Sequence, residues 1–219
     1  IDLGDTGEWE HFSTHYWKGR SAKPMEDLIP LLDKDIFDVN KGMDFIDKSL
    51  DKAGVKERHF IQGNHEVWLD KFVTRYPYLK QYMTTNALNL KDRGYKYHPY
   101  NRKKNLKIGK LNFTHGKFTS KYHSYKHLDV YGENIMYGHT HDLQRHTKTF
   151  AGGTISSWSL GCLKDIESDE DWLGGRLTNW NHAFAVIDFF KGGNFKVEVV
   201  EIIKGKTSLW GNLIDGSKK

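Results

Sequence analysis

Apolar residues follow two periods along the chain, one typical of helices and one typical of strands. From Met25 to Leu50 they recur every three or four residues, which predicts a long helix with Pro30 and Gly42 as candidate breaks. Later segments alternate in steps of two, the pattern of half-buried β-strands. These segments are residues 144–150, 154–160, 182–190 and 195–203.

Short apolar runs in the first two-thirds of the chain predict buried strands, at residues 58–62, 111–114 and 134–137. Helical patterns lie between them, at residues 66–76, 78–90 and 120–131. This order predicts an α/β fold, in which a layered β-sandwich is flanked by helices. No segment has the composition of a linker, so we predict one domain over residues 1–219, with Ile1 already inside a strand.

Composition narrows the class of protein. The 219 residues include 7 Trp, 11 Tyr and 12 Phe but 4 Pro, which predicts a folded chain and not a disordered one. The single cysteine excludes an internal disulfide framework and favours a reducing compartment, so we expect a cytoplasmic protein. No apolar run reaches the ~20 residues of a membrane span. The net charge of +5 suits a phosphate-bearing partner.

Four predicted strands end in a turn that joins a glycine to a polar side chain. The polar residues are Asp5 after Gly4, Asn64 after Gly63, His115 before Gly116, and His139 with His141 after Gly138. Glycine lets the backbone turn sharply, and the carboxyl ends of strands are where α/β proteins bind ligands. If the strands align, the turns share one edge of the sheet.

These side chains have the chemistry of a transition-metal site. One carboxylate, one amide and three imidazoles suit Zn, Mn, Fe or Ni, and a His-x-His turn can serve two ions. Taken singly, Asp5 and Asn64 are as well explained by turn hydrogen bonds, and His115 by burial. The pair His139 and His141 has little structural use, so the set together favours metal.

The same stretches resemble the ordered motifs of the calcineurin-like metallophosphoesterases. They are Gly4-Asp5-Thr6-Gly7-Glu8, Gly63-Asn64-His65-Glu66, Thr114-His115-Gly116 and Gly138-His139-Thr140-His141. The resemblance is nearest to the phosphoesterases of bacteriophages and prophages. It implies the sandwich architecture of that family, two divalent transition-metal ions, and hydrolysis of a phosphate ester by in-line attack of a metal-bridged hydroxide. For a phage protein, the compartment would be the host cytoplasm.

The resemblance also implies a role for each residue. Asp5 would bridge the two ions, His141 would bind the first, and the second would be held by Asn64, His115 and His139. His65 would protonate the leaving group and, with Asn64, contact the substrate phosphate. The family's acid that orients this histidine is replaced by Glu8, which is one methylene longer than the usual aspartate.

One family motif has no counterpart in the chain. The Asp-x-His that supplies two ligands to the first ion does not occur before Asp5. We therefore expect that an N-terminal strand is missing. The alternative is a degenerate member of the fold that has lost its first metal and its activity.

Two further features leave alternatives open. Basic residues cluster around a predicted hairpin, with Arg102, Lys103 and Lys104 followed by Lys107 and Lys110. A solvated turn explains them, whereas contact with nucleic acid would fit a nuclease or a phosphoesterase that processes DNA ends. The pair His123 and His127 has metal-ligand spacing on a helix, but it lacks a zincin glutamate, so we predict a solvated helix face. The alternative is a wall that faces the substrate above the metals.

Overall fold

A computed structural model describes residues 1–13, 18, 23–100, 104–166 and 173–216. It confirms a mixed α/β fold with several small sheets. Contacts divide the chain into two compact units, residues 1–103 and 104–219, so the single domain stays a prediction. Among the described residues, no helix has both the length and the apolar character needed to cross a bilayer.

The described part of the first unit combines five helical segments with a short parallel sheet. Its elements are a 3-10 helix Glu10–Phe12, α1 Met25–Lys52, β1 Arg58–Ile61, α2 Asn64–Arg75, a 3-10 helix Pro77–Tyr82, α3 Thr84–Ala87 and β2 Tyr95–His98. Strand β1 pairs in parallel with β2, and a parallel bridge joins Asp2 to Phe60. The residues after Asp2 and after β1 therefore leave adjacent parallel strands.

Helix α1 runs without a break through Pro30 and Gly42, where breaks were predicted. Its inner face buries Leu28, Leu32 and Met43, and this packing stabilises a helix more than local propensity does. The core of the unit is mainly apolar. It comprises Trp9, Phe12, Leu32, Met43, Phe60, Leu69, Val73, Leu79, Leu88 and Leu90.

The helix predicted over residues 78–90 is wrong in part. A 3-10 helix and the four-residue α3 take its place. Asp70 of α2 explains where α3 begins, because its Oδ1 accepts hydrogen bonds from both the backbone N (2.8 Å) and the hydroxyl of Thr84. A side chain that caps this turn competes with continuation of the preceding helix.

The second unit contains a five-stranded mixed sheet and two hairpins. Its described elements are β3 Leu106–Ile108, β4 Leu111–Thr114, α4 His123–Tyr131, β5 Asn134–Tyr137, β6 Gln144–Phe150, β7 Gly153–Ser159, β8 Ala183–Phe189, a 3-10 helix Lys191–Gly193, β9 Phe195–Glu201, β10 Lys206–Leu209 and β11 Asn212–Asp215. The sheet order is β3-β4-β5-β7-β6, and β4, β5 and β7 run parallel. Strands β8 and β9 form an antiparallel hairpin.

The strand predictions of this unit are confirmed to within two residues, but the hairpin of β10 and β11 was missed. Its strands are short and largely exposed, so they lack a clear alternating pattern. The basic turn is confirmed in its described part, because Ile108 and Leu111 close a β3–β4 hairpin. Lys107 pairs there with Glu133, whereas Arg102 and Lys103 lie outside the described residues.

The solvated face predicted for His123 and His127 is wrong. Both side chains are buried in α4, at 3% and 0% exposure. His127 stacks on Tyr137 of β5, with ring centroids 3.7 Å apart. Polar spacing on the helix suggested solvent, but both rings find hydrogen bonds inside the protein. His123 bonds Tyr137 and Asp142, and His127 bonds the His123 carbonyl and the backbone N of Lys117.

Candidate functional site

Two glycine turns of the first unit pack backbone to backbone. Gly4 and Asp5 both have left-handed backbones, with φ of 87° and 57°. A Cβ on Gly4 would overlap the backbone of Ile61 and Gly63, and a Cβ on Gly63 would overlap Asp5. Glycine at both positions therefore permits the close approach of the two turns.

Glu66 binds the two turns together. Its carboxylate is fully buried, and Oε2 accepts hydrogen bonds from the backbone N of Asp5 (2.9 Å) and Gly63 (2.8 Å). Oε1 accepts from the backbone N of Thr6 (2.9 Å) and Gly7 (3.5 Å). Hydrogen bonds to an ionised acceptor are stronger than neutral ones, so this side chain fixes the turn that carries Asp5.

Asp5 and His65 lie side by side in the first unit. Asp5 Oδ1 accepts a hydrogen bond of 2.9 Å from the backbone N of His65, and Asp5 Oδ2 lies 3.7 Å from His65 Nε2. The carboxylate thus caps the start of α2, where the positive end of the helix dipole favours negative charge. Asn64, the predicted amide ligand, is the first residue of that helix.

The ring of His65 is held by its neighbours, and its side chain is 19% exposed. It stacks on Trp68 with centroids 4.2 Å apart, and Nδ1 lies 3.3 Å from the carbonyl oxygen of Gly7. Glu8 Oε2 is farther, at 3.9 Å from Nδ1, and its side chain is 54% exposed. The Gly7 carbonyl is therefore a nearer orienting partner than the predicted Glu8, whose catalytic role stays a prediction.

His115 and His139 of the second unit face each other. They follow β4 and β5, which are adjacent and parallel, and His115 Nε2 lies 3.1 Å from His139 Nδ1. The backbone N of Gly138 donates to the carbonyl of His115 (3.0 Å), which ties the two turns together. Two ring nitrogens thus converge at the end of this sheet.

His141 leaves the same turn in a different direction. His139 and His141 both have left-handed backbones, with φ of 71° and 60°, which residues other than glycine adopt rarely. The ring of His141 lies edge-on to Trp180 at 4.9 Å, and its carbonyl accepts a hydrogen bond from the backbone N of Asn181 (2.8 Å). The two imidazoles of this turn therefore contact different neighbours, His115 for His139 and Trp180 for His141.

Burial changes the pKa of ionisable groups near the His-x-His turn, namely His127, Tyr137 and Asp142. Burial lowers the pKa of His127 to about 4, so its ring is neutral near pH 7. Burial also raises the pKa of Tyr137. Burial works to raise the pKa of Asp142, but hydrogen bonds from His123, Thr140 and Gln144 together lower it.

Sequence reasoning missed Glu66 and Asp142 as structural parts of the site. Glu66 stands three residues after Gly63, at the start of a predicted helix, and that spacing is typical of a capping box. This spacing predicts the hydrogen bond from the Gly63 backbone N to Glu66. It does not predict the hydrogen bonds that Glu66 accepts from Asp5, Thr6 and Gly7. Asp142 carries no comparable signal.

Within each unit, the predicted residues come together in pairs: Asp5 with His65, and His115 with His139. Alignment of all four turns along one edge stays a prediction. The scan against protein-family models finds no match, and the search of curated proteins finds no similar protein.

Proposed function

We propose that the protein is a metal-dependent phosphoesterase with the layered architecture of the calcineurin-like metallophosphoesterases. In this proposal Asp5, Asn64, His115, His139 and His141 hold two divalent transition-metal ions. The observation that carries it is the pair of ring nitrogens, His115 Nε2 and His139 Nδ1, 3.1 Å apart. The single cysteine supports a cytoplasmic location.

The nitrogen separation fits two ligands of one ion. With metal–nitrogen bonds of about 2.0–2.1 Å, tetrahedral or octahedral angles separate two ligand nitrogens by about 2.8–3.4 Å. A simple hydrogen bond between the rings has a similar length. The neighbouring His-x-His turn favours metal, because its two left-handed histidines carry backbone strain that is often found at functional sites.

The ions would activate water and neutralise charge on the phosphoryl oxygens. His65 supplies the proton. With Nδ1 turned to the Gly7 carbonyl, Nε2 is the nitrogen left to protonate the departing oxygen. Stacking on Trp68 limits rotation of the ring, so the proton is delivered from a fixed position.

The ligand sets of the two ions differ in number. The second ion would have Asp5, Asn64, His115 and His139, whereas Asp5 and His141 are the proposed ligands of the first. Four protein ligands form a closed site, but two form a weak one. We therefore expect one tight and one weak site per chain.

Titration with cobalt tests the metal centre, with binding measured by calorimetry and by visible absorption. We expect His139→Ala to abolish tight cobalt binding. His146 is an exposed histidine on β6, and the control variant His146→Ala should bind cobalt as the unsubstituted protein does. Absence of cobalt binding by the unsubstituted chain would refute the proposal.

Hydrolysis of p-nitrophenyl phosphate and bis-p-nitrophenyl phosphate tests the reaction. We expect His65→Ala to lose at least about a hundredfold in rate, the typical contribution of a general acid, with cobalt binding retained. Unchanged hydrolysis by His65→Ala would remove the histidine from the mechanism. Metal binding without turnover by the unsubstituted chain would instead identify the degenerate scaffold.

A second candidate function is a nuclease or an enzyme that processes DNA ends. The observation that favours it is an exposed cluster of rings and a cation on α4 and β6, where Lys148 Nζ lies 5.6 Å from the Tyr125 centroid and 4.9 Å from that of Phe150. Such rings can stack on bases of a single strand. Hydrolysis of single-stranded DNA that is independent of salt would contradict this candidate.

A further inference from the structure

The His-x-His turn comprises residues 138–141. The residue before it and the residue after it both contact one buried histidine of α4. Tyr137 precedes the turn, and its hydroxyl lies 2.7 Å from His123 Nδ1. Asp142 follows the turn, and its Oδ2 lies 3.0 Å from His123 Nε2. The imidazole thus joins the two residues that flank the turn.

Both contacts are satisfied by one neutral tautomer of His123. With the proton on Nε2, the ring donates to the Asp142 carboxylate and accepts from the Tyr137 hydroxyl. The ring is 3% exposed, so water offers little replacement for a lost partner. This arrangement fixes the ring orientation as well as the distance between the two flanking residues.

The turn needs such support because it is strained. His139 and His141 both hold left-handed backbones, and each such residue is stable only where its surroundings over-determine it. Ser159 adds a second tie, because its hydroxyl lies 2.9 Å from the Thr140 hydroxyl and 2.9 Å from the Asp142 carbonyl. The turn is therefore held at its ends by His123 and in its middle by Ser159.

We propose that His123 is a positioning residue that holds Tyr137 and Asp142 so that His139 and His141 point in fixed directions. Its effect on metal binding rests on the proposed function, whereas its effect on the turn does not. His123 itself is not a ligand, since both ring nitrogens are used in the two contacts.

The test compares three variants by cobalt titration and by amide hydrogen exchange of the metal-free protein. His123→Phe removes both contacts, and Tyr137→Phe removes one hydroxyl without loss of the ring. The control Ser157→Ala removes another buried bond to α4, in which the Ser157 hydroxyl donates to the Ser124 carbonyl at 2.6 Å. That bond does not involve the turn.

We expect His123→Phe to weaken cobalt binding and to speed exchange of the Thr140 amide, each by at least about tenfold, since two hydrogen bonds are lost. The visible cobalt spectrum should change as well, because the ligand angles are no longer fixed. Tyr137→Phe should show a smaller effect in the same direction, and Ser157→Ala should stay within about twofold of the unsubstituted protein.

The outcomes separate the two proposals. If the unsubstituted protein binds cobalt and both His123→Phe and Tyr137→Phe bind it with equal affinity and spectrum, the positioning role is refuted. If the unsubstituted protein binds none, the metal centre fails, and Thr140 exchange alone decides the role of His123. If His123→Phe does not fold, Tyr137→Phe decides it, and unchanged exchange in that variant overturns the proposal.

Discussion

Replacement of Glu66 by glutamine is a sensitive test of how the site is held together. The substitution keeps the size of the side chain but replaces one carboxylate oxygen by an NH₂ group. Each oxygen of Glu66 accepts from two backbone N–H groups, Asp5 and Gly63 on one side and Thr6 and Gly7 on the other. In either orientation of the amide, two donors lose their acceptor.

The expected cost follows from the number and type of bonds lost. A hydrogen bond to a charged group contributes about 1.5–3 kcal/mol, so two lost bonds predict a destabilisation of about 3–6 kcal/mol. For a chain of this length, the corresponding fall in melting temperature is about 6–24 °C. Because the lost donors lie in the Asp5 turn and at the start of α2, the same variant should loosen the contact between Asp5 and His65.

Thermal unfolding by circular dichroism measures the destabilisation, and amide exchange of Asp5, Thr6 and Gly63 locates it. The matched control is Glu57→Gln, which makes the same chemical change at an exposed residue paired with Lys96. Surface ion pairs contribute little, so we expect no measurable shift there. If Glu66→Gln melts at the same temperature as Glu57→Gln, the clamping role assigned to the buried carboxylate is wrong.

Two further predictions concern stability. The pKa of His127 is 6.5 in the unfolded chain and about 4 in the folded protein, so the unfolded chain binds more protons between these two values. The free energy of unfolding therefore falls by about 3 kcal/mol as the pH drops from 6.5 to 4. In urea unfolding, His127→Gln should show a flatter pH dependence than the unsubstituted protein, and an equal slope would contradict this reasoning. Asp47 binds Arg58 (3.2 Å) and Arg93 (2.6 Å) with its side chain 11% exposed, so Asp47→Ala should cost about 3–5 kcal/mol in the same assay, whereas Asp38→Ala at an exposed pair should leave the midpoint unchanged.

The strands of the second unit show which features of the fold a local sequence pattern predicts. Residues 144–150 alternate in sequence and form β6 with those bounds, because alternation places one face of a strand inward. The turns that carry Asp5, Asn64, His115 and His139 were also visible, since a glycine beside a polar residue after an apolar run is a local signal. The types of ligand in the proposed metal centre therefore come from the sequence alone.

The support of those residues depended on contacts between distant parts of the chain. Glu66 lies 61 residues from Asp5, whose backbone N it binds, and His123 joins residues 14 and 19 positions away. Periodicity describes which face of an element is apolar, but it does not say which polar group meets which. For His123 and His127 the periodicity predicted solvent exposure, which is wrong, because imidazoles that find hydrogen bonds can be buried as readily as they are solvated.

The sequence by itself determined most of the elements, their order and the chemistry at the strand ends, because these follow from backbone conformations and side-chain types within a few residues. Only the tertiary structure decided that Glu66 is buried under the Asp5 turn, that His115 and His139 face each other, and that His123 lies beneath the His-x-His turn. Each of these depends on pairing between distant segments, in which a buried polar group is stable only where the fold supplies its partner.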